Sequence, residues 1–168
     1  IMHLSYHLRY LLQVNRMLVP LASEVDYTKN YGKIQSEMYG RGIVINWNIR
    51  GDVDNIPVPT LCIQTFVENS FKYAMPKDGG SGLEITVKIY ELETQNGKFI
   101  DITVRDNGAG YPLPILEDIN AESKEESISV GINNLKRRCL FIYGGREEYN
   151  FYNSDGAVSE LVLPCDRG

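Results

Sequence analysis

Two alternating stretches joined by a two-residue turn limit the fold of this chain more than any other feature. Leu83, Ile85, Val87 and Ile89 recur at every second position, Asn96-Gly97 follows, and Phe99 to Val104 alternates again. Period-two spacing puts one set of side chains on a single face of an extended strand. Asn-Gly suits the positive φ angles of a tight hairpin turn. The sequence therefore predicts an antiparallel hairpin with one apolar face, which other elements must cover.

Helical spacing supplies the cover. Leu4, Leu8, Leu11 and Leu12 predict a helix from Leu4 to Met17. Pro20 suits the first turn of a second helix, which carries Tyr27, Tyr31, Ile34 and Met38 until Gly40 and Gly42 stop it. Ile43, Ile45, Trp47 and Ile49 then alternate along a strand. Pro57 and Pro59 bracket the start of a third helix, about Thr60 to Met75, followed by a glycine-rich loop at Lys77 to Gly82. The stretch from Asn107 to Ser129 is polar and acidic around Glu117 to Glu126, and its length predicts a lid, a binding loop or disorder. A last helix spans Gly131 to Tyr143, and strands at Arg146 to Tyr152 and Ala157 to Leu163 flank the turn Asn153-Ser154-Asp155-Gly156. This order predicts an α+β fold, with helices packed on one face of a mixed sheet. The expected division is a helical segment, 1–40, ahead of a unit covering 41–168.

Composition narrows the function. With 168 residues, 43% of them apolar, the chain can bury a full core without disulfide or metal staples. Cys62, Cys139 and Cys165 are odd in number and match no zinc spacing, as expected in a reducing cytosol. No apolar run is long enough to span a bilayer. The 22 acidic side chains against 17 basic ones give a net charge of −5, which argues against an electrostatic nucleic-acid binder. A polyanionic ligand would have to be held by local geometry or a metal. Beginning at Ile1-Met2, the chain reads as an excised fragment.

Three segments could carry chemistry. On the third helix Thr65, Glu68, Asn69 and Lys72 fall at i, i+3, i+4 and i+7 and share a face, which can be a plain solvated face or a polar site, while Ile63, Val67, Ser70 and Ala74 form a core-facing stripe. After the returning strand comes Asp106-Asn107-Gly108-Ala109-Gly110, a pattern with a chance of roughly one in a hundred thousand per position. It can be a tight turn, or Asp106 can accept a hydrogen bond from an exocyclic amine while the glycines let backbone approach a ligand. Finally, Gly131 stands at the mouth of the last helix, where it can be an ordinary cap or where free backbone N–H groups can hold phosphate.

Together, V-E-N-S-F-K-Y, D-N-G-A-G and V-G-I-N-N-L-K-R-R-C-L-F-I-Y-G-G resemble the ATP-binding domain of the GHKL superfamily, which groups histidine kinases, DNA gyrase, MutL and a heat-shock chaperone. The likeness is to the LytS-type sensor histidine kinases of bacterial two-component systems and covers about Pro57 to Gly144. The L-R-Y at Leu8 to Tyr10 and the P-L-A-S-E-V at Pro20 to Val25 also look like that family's helices ahead of the catalytic region. The resemblance implies a Bergerat-type two-layer sandwich over a mostly antiparallel sheet, preceded by two N-terminal helices. It implies ATP and Mg²⁺ as ligands, with Asn69 on the metal, Glu68 beside it as a polarising or base-like group, and Lys72 on the phosphates. Asp106 would read the adenine amine, Gly108 and Gly110 would shape the adenine pocket, Gly131 and Asn134 would lie near the phosphates, and Tyr73 would border the site.

The departures are Tyr73 where the family usually has His, Ser129 in place of the first lid glycine, and Ala157 after Gly156 where Gly-Thr is common. No P-H-F-L-x-N phosphoacceptor box is present, and His3 and His7 lack its context, so the acceptor helix is expected upstream of this fragment. The implied activity is transfer of the ATP γ-phosphoryl group to that histidine for relay to a response regulator. The intact protein would be a homodimer anchored to the membrane through its N-terminal part, with this domain in the cytoplasm. Alternatives are a catalytically impaired nucleotide-binding or dimerisation scaffold, and a GHKL ATPase with Glu68 as general base.

Overall fold

A computed structural model describes residues 17–39, 42–74, 82–121 and 128–166. In chain order the elements are β1 (Leu18–Pro20), α1 (Leu21–Tyr39), β2 (Val44–Arg50), β3 (Pro57–Pro59), α2 (Cys62–Tyr73), β4 (Glu84–Thr94), β5 (Gly97–Asp106), α3 (Leu113–Asn120), α4 (Val130–Tyr143), β6 (Glu148–Asn153) and β7 (Ala157–Pro164). The helix expected over 4–17 lies outside the described residues except for Met17, as does most of the loop at 77–82. His3 and His7 also fall outside.

The expected hairpin forms the middle of the sheet. β4 and β5 pair antiparallel from Ile85↔Asp106 to Thr94↔Gly97. β2 joins β4 in parallel, while β7 and then β6 extend the other side antiparallel, giving the order β2-β4-β5-β7-β6. The alternation survives intact, since Ile85, Val87, Ile89, Ile100, Ile102 and Val104 are all buried while Lys88 and Arg105 between them are exposed. One face of the sheet therefore packs, and Ile63, Phe66 and Val67 of α2 share its core with Ile132, Leu135 and Cys139 of α4. The α+β architecture on a mixed, mostly antiparallel sheet is as expected.

Three local readings change. Pro20 ends a short strand, β1, whose Leu18 and Pro20 pair with Pro59 and Pro57 of β3, and the helix begins one residue later. Its buried residues are Leu21, Glu24, Val25, Tyr27, Thr28 and Gly32; of the stripe placed by spacing, Tyr27 is buried and Tyr31 packs against the core, whereas Met38 is 74% exposed. At Gly32 a Cβ would meet the tip of the Ile45 side chain of β2, which would have to turn aside. Part of the stretch read as one long loop is helical: α3 buries Ile115 and Ile119, one turn apart, with Pro112 and Pro114 at its start where no intrahelical N–H is required.

The start of α2 is held from outside. Its N-cap, Leu61, has a left-handed backbone (φ 64°) and supplies no side-chain cap. The fully buried carboxylate of Glu24 on α1 takes over, accepting N–H bonds from Leu61 at 2.9 Å, Ile63 at 3.2 Å and Gln64 at 3.4 Å. A negative group at a helix N-terminus also complements the macrodipole. Thus α1 fixes the placement of the helix that bears Glu68, Asn69 and Lys72.

Candidate functional site

Strand alternation delivers Asp106. It follows Ile100, Ile102 and Val104 at period two, so the pleat turns its carboxylate toward the core at the end of β5, and the residue is 2% exposed. Oδ1 accepts the Gly108 N–H at 3.0 Å and the Ala157 N–H at 3.0 Å. Oδ2 is buried and accepts nothing. A buried acceptor left without a donor is costly, and this oxygen could accept an N–H from a ligand.

The glycines are required by contact. A Cβ on Gly108 would overlap Ala74 at the end of α2, and one on Gly156 would overlap the Asp106 carbonyl. These close approaches set the D-N-G turn directly against α2 and the β6–β7 turn. Gly110 backs onto the Asn153 carboxamide, 2.7 Å from where its Cβ would stand. Asn153 in turn clamps the next residue: the Tyr111 N–H donates to its Oδ1 at 2.8 Å, and its Nδ2 donates to the Tyr111 carbonyl at 2.9 Å.

On α2 the expected division of faces holds. Ile63, Val67, Ser70 and Ala74 are buried, Thr65 and Asn69 are half-buried, and Glu68 and Lys72 are exposed. Asn69 keeps its Nδ2 buried with no hydrogen bond closed. Lys72 Nζ stands 4.9 Å from the Tyr73 ring centroid, and the Tyr73 ring lies 6.0 Å from that of Tyr111. Burial, and secondly the charge of Glu68, pushes the Tyr31 phenol of α1 up, which places the Glu68 carboxylate near it. Gly131, exposed in the first turn of α4, approaches α2 closely: a Cβ there would contact Thr65 Cγ2 at 3.5 Å. Asn134 is exposed one turn further along. The polar face of α2 and the N-terminal end of α4 are therefore neighbours, and the D-N-G turn lies against the other end of α2.

The departures from the family pattern can now be located. Ser129 is buried and its N–H donates to the Asp118 carboxylate of α3 at 3.0 Å, tying the start of α4 to α3. Ala157 serves Asp106 through its backbone N–H, which needs no particular side chain. Sequence reasoning missed Tyr111, Asn153 and Ser159. Asn153 opens the Asn-Ser-Asp-Gly turn and Tyr111 directly follows the D-N-G-A-G run, so their places beside motifs were the available signal.

A separate open groove of about 510 Å³, lined by Asn120, Lys136, Arg137, Leu140, Tyr149 and Phe151 among others, contains none of these residues. Among the described residues, no helix is long and apolar enough to cross a membrane.

No protein-family model matches the chain. It is 28% identical over 173 residues to the sensor histidine kinase/phosphatase LytS of Staphylococcus aureus, covering 99% of this chain and 29% of that protein. It is 24% identical over 147 residues to the sensor protein LytS of Bacillus subtilis, covering 86% of this chain and 24% of that one. The chain thus spans less than a third of the length of these relatives. Among solved structures, the catalytic domain of the histidine kinase ThkA superposes with a TM-score of 0.58 at 12% identity, covering 88% of this chain and 93% of that one. Full-length ShkA in complex with AMPPNP gives 0.59 at 16% identity, covering 95% of this chain and 36% of that one. The chain is thus similar in sequence to the LytS-type sensor histidine kinases, and it shares the fold of histidine kinase catalytic domains.

Proposed function

We propose that the chain binds Mg-ATP and presents its γ-phosphoryl group to a histidine on an acceptor helix, from which an aspartate of a response regulator takes it. The observation that carries this reading is Asp106: one buried oxygen holds the turn, and the other is left without a donor in a position suited to the exocyclic amine of adenine. The AMPPNP of ShkA, a protein of the same fold, supports a nucleotide as the ligand.

The remaining residues fit such a ligand. Gly108 and Gly110 let the turn beside Asp106 pack closely against Ala74 and Asn153, which shapes the adenine pocket. Asn69 offers one hard carboxamide oxygen, enough for a Mg²⁺ that keeps waters and takes its other ligands from phosphates. Such an ion neutralises phosphate charge during transfer. Lys72 adds an exposed ammonium, and Glu68 lies beside Asn69 on the helix as the polarising or base-like group. Gly131 opens α4 with backbone N–H groups that suit phosphate, with Asn134 at its edge. Tyr73 borders the site through its contacts with Lys72 and Tyr111. In the intact protein we place this domain in the cytoplasm of a membrane-anchored homodimer.

Calorimetric titration of ATP with and without Mg²⁺ tests the reading, and saturable binding strengthened by Mg²⁺ is expected. Absence of binding would overturn it. Adding the acceptor helix of the intact protein should then yield phosphohistidine. Binding without transfer would leave a nucleotide-binding scaffold, and steady phosphate release without an acceptor would point to an ATPase using Glu68.

A further inference from the structure

Tyr111 belongs to none of the motifs, yet it sits between two of them, directly after D-N-G-A-G and against Tyr73 of V-E-N-S-F-K-Y. It is 4% exposed, its backbone is clamped on both sides by Asn153, and its hydroxyl lies 2.6 Å from Ser159 Oγ on β7. Its ring is 6.0 Å from that of Tyr73, which stands one helical turn beyond Asn69. The Asn69 carboxamide faces the same hydroxyl, with Nδ2 buried and no hydrogen bond closed.

A carboxamide has an acceptor end and a donor end, and only the oxygen can ligate a hard cation. A phenol that donates its proton to Ser159 Oγ leaves its own oxygen as an acceptor. An amide N–H directed at that oxygen turns the carbonyl oxygen the other way. We propose that Tyr111 is a positioning residue for Asn69: its hydroxyl, braced by Ser159, selects the carboxamide orientation that offers Oδ1 to the cation of Mg-ATP. This inference rests on the reading of Asn69 as the metal ligand.

Tyr111→Phe keeps the ring and deletes the hydroxyl. The expected result is a loss of about tenfold in the Mg²⁺-dependent part of ATP affinity, the scale usual for groups that orient a metal ligand. Affinity for ATP without Mg²⁺ should stay as in the wild type. Ser159→Ala should give a smaller loss of the same kind. In the nucleotide-free protein, the side-chain N–H protons of Asn69 should exchange faster with solvent once the hydroxyl is gone, as read by NMR. The deciding measurement is the double mutant: on an Asn69→Ala background, Tyr111→Phe should cost nothing further. An equal cost in both backgrounds would show that Tyr111 acts on the fold and not through Asn69. If the wild type fails to bind Mg-ATP, the functional reading falls together with this inference. If it binds, and Asn69→Ala removes the metal dependence while Tyr111→Phe matches the wild type, this inference alone falls.

Discussion

Asp106 divides its work between two oxygens, and a single substitution separates them. In Asp106→Asn the remaining carbonyl oxygen can keep the Gly108 and Ala157 N–H bonds, while an NH₂ group replaces Oδ2 and faces a ligand amine with a donor. Losing a charged hydrogen bond of about 1.5–3 kcal/mol predicts ATP binding weaker by roughly one to two powers of ten. Calorimetry would read it directly, and unchanged affinity would remove Asp106 from adenine recognition. This residue was legible in the sequence because a buried carboxylate next to obligatory glycines leaves its mark in residue types. Ala157 was not, since it contributes a backbone N–H that almost any residue could supply. Tyr111 was hidden differently: a tyrosine after a turn looks like ordinary core until its hydroxyl is seen against Ser159.

Elements defined by period came through, and elements defined by distant partners did not. The β4–β5 hairpin and the burial of Ile63, Val67, Ser70 and Ala74 follow from spacing within a few residues. The buried face of α1 was read only in part, at Tyr27, because it also contains Thr28 and Gly32, which a search for apolar residues passes over. Glu24 reads as a surface acid, yet it caps a helix 37 residues away in sequence. Removing that carboxylate would strand buried N–H groups of α2 and forfeit the dipole interaction. Glu24→Ala should therefore destabilise the fold by about 2–3 kcal/mol, the combined scale of a lost helix cap and unsatisfied buried donors. Glu24→Gln, which keeps an acceptor oxygen, should cost less. Urea denaturation of the two variants checks this, and equal losses would mean that the negative charge, rather than a neutral acceptor oxygen, holds the helix start.

At the scale of the molecule, an acidic protein with a net charge of −5 is read as binding a polyanion. General attraction cannot supply that affinity, so in this reading it comes from fixed groups: the Asp106 acceptor near the C-terminal end of α2 for the base, and the cation at Asn69, the Lys72 ammonium and the α4 start beside Thr65 for the phosphates. Selectivity between purines follows from the first of these. Adenine presents an amine donor to Oδ2, whereas guanine would present its 6-oxo acceptor to a buried carboxylate. A site that leaves buried polar groups unpaired rejects the wrong ligand strongly. Stability offers a readout independent of phosphotransfer, because a ligand at about 100 times its Kd stabilises the folded state by about 2.7 kcal/mol. For a domain of this size that corresponds to a rise of roughly 5–11 °C in Tm. Mg-ATP should produce such a rise and Mg-GTP at the same concentration almost none, with Asp106→Asn reducing the ATP shift. Equal shifts for ATP and GTP would mean that the phosphates and metal account for the binding and that the free oxygen of Asp106 does not read the base.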